Sequence, residues 1–191
     1  MPNTSDPLFD RYPLTGSVEL STGPAPTPYH IYDGYGALIG GTASAETVRG
    51  LLAGEQVVPL LDAAGRAQVA IWLCDFREAS LGPHREFQVS VVVTRQPATP
   101  LAASPFALLA AMLTRPEMEM LCHGLWNDTA PVVAYNREHL GLPARPMTGT
   151  IDRANDVFQA ALANAQGNPR LRAELHQTGR ASAGAGWAML R

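Results

Sequence analysis

The chain has 191 residues, of which 46% are apolar and 16% charged, and a formal net charge of −3. That length holds one domain with a substantial core and is short for two, and the balance is globular rather than disordered. A mildly acidic chain without a basic block suits no phosphate backbone, which argues against a nucleic-acid partner.

All 14 cationic side chains are arginine, and there is no lysine. Imine formation needs an amine that can lose its proton, whereas a guanidinium stays protonated. Only the terminal amine of Met1 remains, and a chain terminus is a poor catalytic group. Cys74 and Cys122 each lie in an apolar stretch and read as two buried thiols, with no disulfide required. Residues 1–16 show no basic-then-apolar targeting pattern, and no apolar run approaches membrane-spanning length. The expectation is a soluble cytoplasmic protein with no membrane partner.

Residues 1–30 are rich in Pro, Ser and Thr and read as an arm, and 31–191 as a single domain. Tyr32, Tyr35, Leu38 and Ile39 predict a first strand ended by Gly40-Gly41. Ser44 caps a helix bearing Val48, Leu51 and Leu52 on one face, stopped at Gly54. Val57–Leu61 is a short apolar run. Ala67–Phe76 is apolar on both faces, as a buried strand is, and a loop over 77–85 turns at Gly82-Pro83. Phe87, Val89, Val91 and Val93 then alternate with Gln88, Ser90 and Val92, which makes a hairpin of the pair.

Ser104-Pro105 opens a helix with Phe106, Leu109, Ala110 and Leu113 as its apolar face. Met118, Met120 and Cys122 alternate with Glu117, Glu119 and Leu121, which predicts a strand. Pro131 begins a short helix ending near Gly141. Residues 153–165 and 170–177 read as helices. The class is α+β with largely antiparallel strands.

Two segments carry a resemblance. One is Cys74-Asp75-Phe76-Arg77-Glu78-Ala79-Ser80-Leu81-Gly82-Pro83-His84-Arg85-Glu86. The other is Leu125-Trp126-Asn127-Asp128, followed by Asn136-Arg137-Glu138-His139-Leu140-Gly141-Leu142-Pro143-Ala144-Arg145. In order and spacing they resemble the acetoacetate decarboxylase family over about residues 35–152. The resemblance implies a cone-like β-barrel with peripheral helices, an interior pocket, a homo-oligomer and a glutamate, here Glu86, facing the active site.

The departures from that pattern bear on chemistry. The family's imine-forming lysine falls at Ala144 and its second lysine at Arg145. A family arginine falls near Gly41 and a second glutamate near Ile71. The C-terminal part is shorter than in a typical member.

Glu86 and Arg145 are left as candidate catalytic residues. A carboxyl group inside an apolar barrel has a raised pKa and can act as general acid or base. An exposed glutamate paired with Arg85 is the competing reading, and the resemblance favours the pocket. Arg145 either clamps a substrate oxygen bidentately or lies on the surface after a Pro turn. Arg137-Glu138 matches a family pair and reads as a structural salt bridge. His84, two residues before Glu86, is a candidate partner for it. Tyr135, Trp126, Ile71 and Ala144 are the candidate substrate-binding residues. The remaining histidines have no ligand spacing, and neither a phosphate loop nor a nucleophile elbow occurs, so no cofactor or metal is expected.

These residues point to a small-molecule tailoring enzyme that works without a Schiff base. It would be a cyclase, dehydratase or related lyase acting on a hydrophobic polyketide-like or β-keto substrate, with Glu86 moving the proton. The alternatives are a non-catalytic ligand-binding scaffold on the same fold, or a subunit whose partner completes the site.

Overall fold

Period-two alternation of apolar and polar residues recurs along the chain, and strands are what form. The computed structural model describes residues 7–102, 107–154 and 156–176. Two compact units result, one built from residues up to 38 with 72–88 and 124–176, the other from 39–71 and 89–123. In chain order the elements are α1 (Pro7–Arg11), β1 (Gly16–Leu20), β2 (Gly23–Thr27), β3 (Ile31–Ala43), α2 (Ala45–Leu51), β4 (Val58–Pro59), β5 (Ala67–Ala79) and β6 (His84–Thr94). There follow α3 (Ala107–Thr114), β7 (Met118–Asn127), α4 (Ala130–Ala134), a π-helical turn (Tyr135–His139), β8 (Ala144–Ala154), β9 (Val157–Asn164) and β10 (Pro169–His176). The larger sheet runs β10-β9-β8-β7-β6-β5-β3, with β4 on β6, and β1 and β2 form a separate hairpin. β7 and β8 are parallel, while β8–β9, β9–β10 and β4–β6 are antiparallel. The α+β class and the largely antiparallel sheet agree with the sequence reading. Among the described residues, no helix is long and apolar enough to cross a membrane.

The first unit departs from the sequence reading at both ends. The arm carries the β1–β2 hairpin, turned through Gly23 at φ +105°. Leu20 and Ala25 of the hairpin are buried in a cluster with Ala134 and Tyr135, against which Val18, Tyr29 and Leu81 pack. β3 is therefore not the first strand, and it does not stop at Gly40-Gly41. Glycine is required earlier in it, because a Cβ on Gly36 would lie 2.7 Å from the Leu73 carbonyl oxygen and 2.8 Å from Cys74 Sγ. The missing side chain lets β3 lie close against β5 at this point.

The C-terminal helices are replaced by strands. Phe158, Ala160 and Leu162 are buried while Gln159 and Ala161 are exposed, an alternation that only a strand produces. Ala161 and Ala163 pull the composition toward helix, but β8 offers a full antiparallel partner, and pairing overrides propensity. Asn164 Oδ1 accepts from the Gln166 and Asn168 amides, and Gly167 takes φ +79°, so the β9–β10 turn is locally encoded.

In the second unit, Ser44 Oγ accepts from the Thr47 amide and caps α2 as expected. Val48 and Leu52 pack with Ala67, Val91 and Val93, whereas Leu51 is 48% exposed. A second cluster joins Leu60, Val92, Leu101 and Ala111, with Leu108 against it. The expected face of α3 is thus rotated: Leu109, Ala110 and Leu113 are exposed, and Leu108 and Ala111 turn inward. Ser104, Pro105 and Phe106 lie outside the described residues. Neither Cys74 nor Cys122 is in a disulfide, and both are half-buried rather than fully buried.

Candidate functional site

Alternation along four strands of the first unit sorts its side chains onto two faces. Asp75 of β5, Arg85 and Phe87 of β6, Trp126 of β7 and Asp128 beyond it share one. The Arg85 guanidinium lies 3.1 Å from Asp128 and 3.5 Å from Asp75, and Phe87 stacks on Trp126 with ring centroids 4.9 Å apart. The other face carries Trp72, Cys74 and Phe76 of β5, His84 and Glu86 of β6, Leu125 and Asn127 of β7, and Ala144 of β8, which pairs with Leu125.

Glu86 is the centre of that second face. Asn127 Nδ2 donates to Glu86 Oε2 at 3.1 Å, and Asn136 Nδ2 donates to Asn127 Oδ1 at 3.0 Å. The second bond fixes which way the Asn127 amide points, so a donor and not an acceptor meets Glu86. Asn127 is fully buried and Asn136 nearly so. The π-helical turn brings Tyr135 and Asn136, consecutive in sequence, inward together. Burial holds the Glu86 carboxyl above the ordinary glutamate value, and the Asn127 bond partly offsets that rise.

The Glu86 surroundings are kept uncharged. The Cys74 thiol is pushed up to about 12, by burial first and by the Glu86 carboxylate second. Tyr29 is raised by burial first, then by Glu86, Cys74 and Tyr135. His84 is lowered by burial, against the opposing pull of its Gly82 bond and of Asp128 and Asp75. Its Nδ1 lies 2.9 Å from the Gly82 carbonyl oxygen and its Nε2 2.7 Å from the Tyr29 hydroxyl. A carbonyl only accepts, so Nδ1 carries the proton and the neutral ring's Nε2 accepts from Tyr29. The Trp72 indole N–H, on the same face, is buried without an acceptor.

The residues proposed from sequence are divided between these settings. His84 and Ala144 are buried on Glu86's face, but His84 pairs with Tyr29 and Gly82 rather than with Glu86. Tyr135 is buried with its ring 5.7 Å from Tyr29. Trp126 lies on the opposite face against Phe87. Arg145 is exposed and pairs in register with Trp126, so it projects away from Glu86's face. Ile71 and Gly41 belong to the second unit. Arg85 hydrogen-bonds Asp128 and is ion-paired with Asp75 rather than with Glu86, which removes the reading of Glu86 as its exposed partner.

Arg137 and Glu138 are structural, as expected, but not as a pair. The Arg137 guanidinium donates to the Ala144 carbonyl at 2.6 Å and 3.2 Å. Glu138 accepts from the Ser21 amide at 2.8 Å and from its hydroxyl at 2.5 Å, which ties the β1–β2 hairpin to the π-helical turn. Sequence reasoning missed Asn127, Asn136, Tyr29 and Cys74 as neighbours of Glu86. Both asparagines stand in the segments that carry the resemblance; nothing in the sequence marks Tyr29. Among the described residues, no group of three or more His, Cys, Asp or Glu side chains is placed to hold a metal ion.

No protein-family model matches the sequence, and no curated protein matches it. Solved structures do. An acetoacetate decarboxylase from Legionella pneumophila superposes with a TM-score of 0.64 at 14% identity, covering 91% of this chain and 59% of that one. The enduracididine biosynthesis enzyme MppR, complexed with the condensation product of pyruvate and imidazole 4-carboxaldehyde, gives 0.53 at 11% identity, over 75% and 53% of the two chains. Another acetoacetate decarboxylase gives 0.52 at 12%, over 77% and 66%. The chain spans little more than half the length of the first two. Its fold is that of the acetoacetate decarboxylases.

Proposed function

We propose that the chain is an enzyme of small-molecule metabolism that moves a proton on a hydrophobic carbonyl substrate through Glu86, without a Schiff base. The observation that carries the reading is the state of Glu86: a desolvated carboxyl group held by one amide donor, among groups that are themselves neutral. With Oε2 bonded to Asn127, Oε1 is the oxygen left to exchange a proton with substrate. The unpaired indole N–H of Trp72 is a donor suited to a developing oxygen charge. At the position of the family lysine stands Ala144, on Glu86's face, so an apolar wall replaces the amine.

The reaction class that fits is a lyase, dehydratase or cyclase step on a β-keto or polyketide-like compound. The fold supports this, since it is shared with decarboxylases and with a biosynthetic enzyme that holds a pyruvate condensation product. Exchange of the α-protons of benzoylacetone in D2O, followed by NMR, tests it without knowledge of the natural substrate. The wild type is expected to accelerate exchange and Glu86→Gln to lose that acceleration with its far-UV spectrum unchanged. Equal exchange in both, alongside retained benzoylacetone binding, would instead mark a binding scaffold.

A further inference from the structure

The π-helical turn faces two ways. Asn136 is buried and donates to Asn127 at 3.0 Å; two residues on, Glu138 is exposed and accepts from Ser21. Both Ser21 donors serve that one carboxylate, the amide at 2.8 Å on Oε2 and the hydroxyl at 2.5 Å on Oε1. Paired bonds to a carboxylate fix direction as well as distance. Ser21 stands at the turn between β1 and β2, next to Leu20, which is buried in one cluster with Ala134 and Tyr135. The hairpin therefore grips this segment twice, through apolar packing at Tyr135 and through the carboxylate at Glu138.

A π-helical turn is wider than an α-helical one and rare, and it recurs at functional sites. Here the Leu140 amide reaches back five residues to the Tyr135 carbonyl oxygen, at 3.2 Å. Relaxation to α-helical winding, about 3.6 residues per turn, would change the angle between Asn136 and Glu138. Only the wide form lets both keep their partners. We infer that Glu138 is a positioning residue for Glu86: its clasp on Ser21 holds the turn in the winding that aims Asn136 at Asn127, and through Asn127 a donor at Glu86. The importance of that alignment for turnover rests on the reading of Glu86 as the group that moves the proton. Glu138 itself touches no reacting atom and acts through the two asparagines.

The test follows the Glu86 side-chain carboxyl ¹³C shift across pH in the full chain and three variants. Glu138→Ala should raise the midpoint by about half a pH unit or more, because the Asn127 bond that favours the anion is weakened. Removing a negative charge would by itself lower the midpoint, so the direction separates positioning from plain electrostatics. Glu138→Gln should stay near wild type, since the amide oxygen accepts from the Ser21 amide and the NH2 group donates to the hydroxyl. Ser21→Ala, which keeps the amide donor, should fall between. A midpoint unmoved or lowered in Glu138→Ala would overturn the inference, whatever the melting temperature does. So would a rise in Glu138→Gln as large as in Glu138→Ala. Failure of the functional reading shows separately, as a wild type that does not accelerate benzoylacetone exchange.

Discussion

Among the described residues, Glu86 accepts one side-chain hydrogen bond, from Asn127 at 3.1 Å, and Asn127 is in turn held by Asn136 at 3.0 Å. The chain of amides runs from the π-helical turn to the carboxyl group, and it partly offsets the rise that burial imposes on the Glu86 pKa. Asn127→Ala should leave the Asn136 amide without its acceptor and open a void. The expected cost is about 2–4 kcal/mol in urea unfolding. The same change removes the one bond that favours the anion, so the Glu86 pKa should rise further.

The burial of Glu86 makes stability fall as pH rises. Its folded pKa is raised, so between the ordinary value of 4.5 and the folded value the native state binds more protons than the unfolded one. The favourable contribution is complete below 4.5 and is lost as pH climbs through the folded pKa. Glu86→Gln should therefore raise the melting temperature relative to wild type at pH 8, and by much less at pH 4. A difference independent of pH would contradict the assignment.

His84 acts in the opposite direction. It is neutral when folded, with a lowered pKa, so the unfolded chain takes up a proton first as pH falls below the ordinary 6.5. Stability should be full above that value and decline below it, and His84→Gln should flatten the decline measured by chemical unfolding between pH 7 and pH 5. Tyr29→Phe removes the hydroxyl donor from His84 Nε2 and should cost about 1–3 kcal/mol at pH 7.

A chain without lysine should form no imine with a ketone substrate. Borohydride treatment in the presence of acetoacetate should leave the intact mass unchanged. Arg145→Ala, altering an exposed residue on the face away from Glu86, should leave benzoylacetone exchange within about twofold of wild type. A covalent adduct would overturn the lysine argument, and a large loss in Arg145→Ala would return that residue to the site.

The parts legible in sequence are those written in local chemistry. Ser44 capped its helix, Gly82 turned its hairpin, and the two family-like segments singled out Glu86 and Ala144, which do share one face. The C-terminal strands were read as helices because alanine-rich segments satisfy both periodicities until a partner is known, and β8 decides the matter for Phe158, Ala160 and Leu162. The face of α3 was misread for a similar reason: nearly every position in Ala107–Thr114 is apolar, so spacing alone does not say which side packs. Arg145 was set beside Glu86 because the family's second lysine falls there, yet it pairs in register with Trp126 and projects from the opposite face. Tyr29 reaches His84 across 55 positions of sequence, a pairing no local pattern encodes.

The central claim is that Glu86 is a desolvated carboxyl group poised to exchange a proton. The ¹³C chemical shift of its side-chain carboxyl carbon, assigned by comparison with Glu86→Gln and followed across pH, tests this directly. The account predicts a midpoint above the ordinary glutamate value of 4.5. A midpoint at or below that value would show a group ionised throughout the neutral range, and the proposed acid–base role would fail.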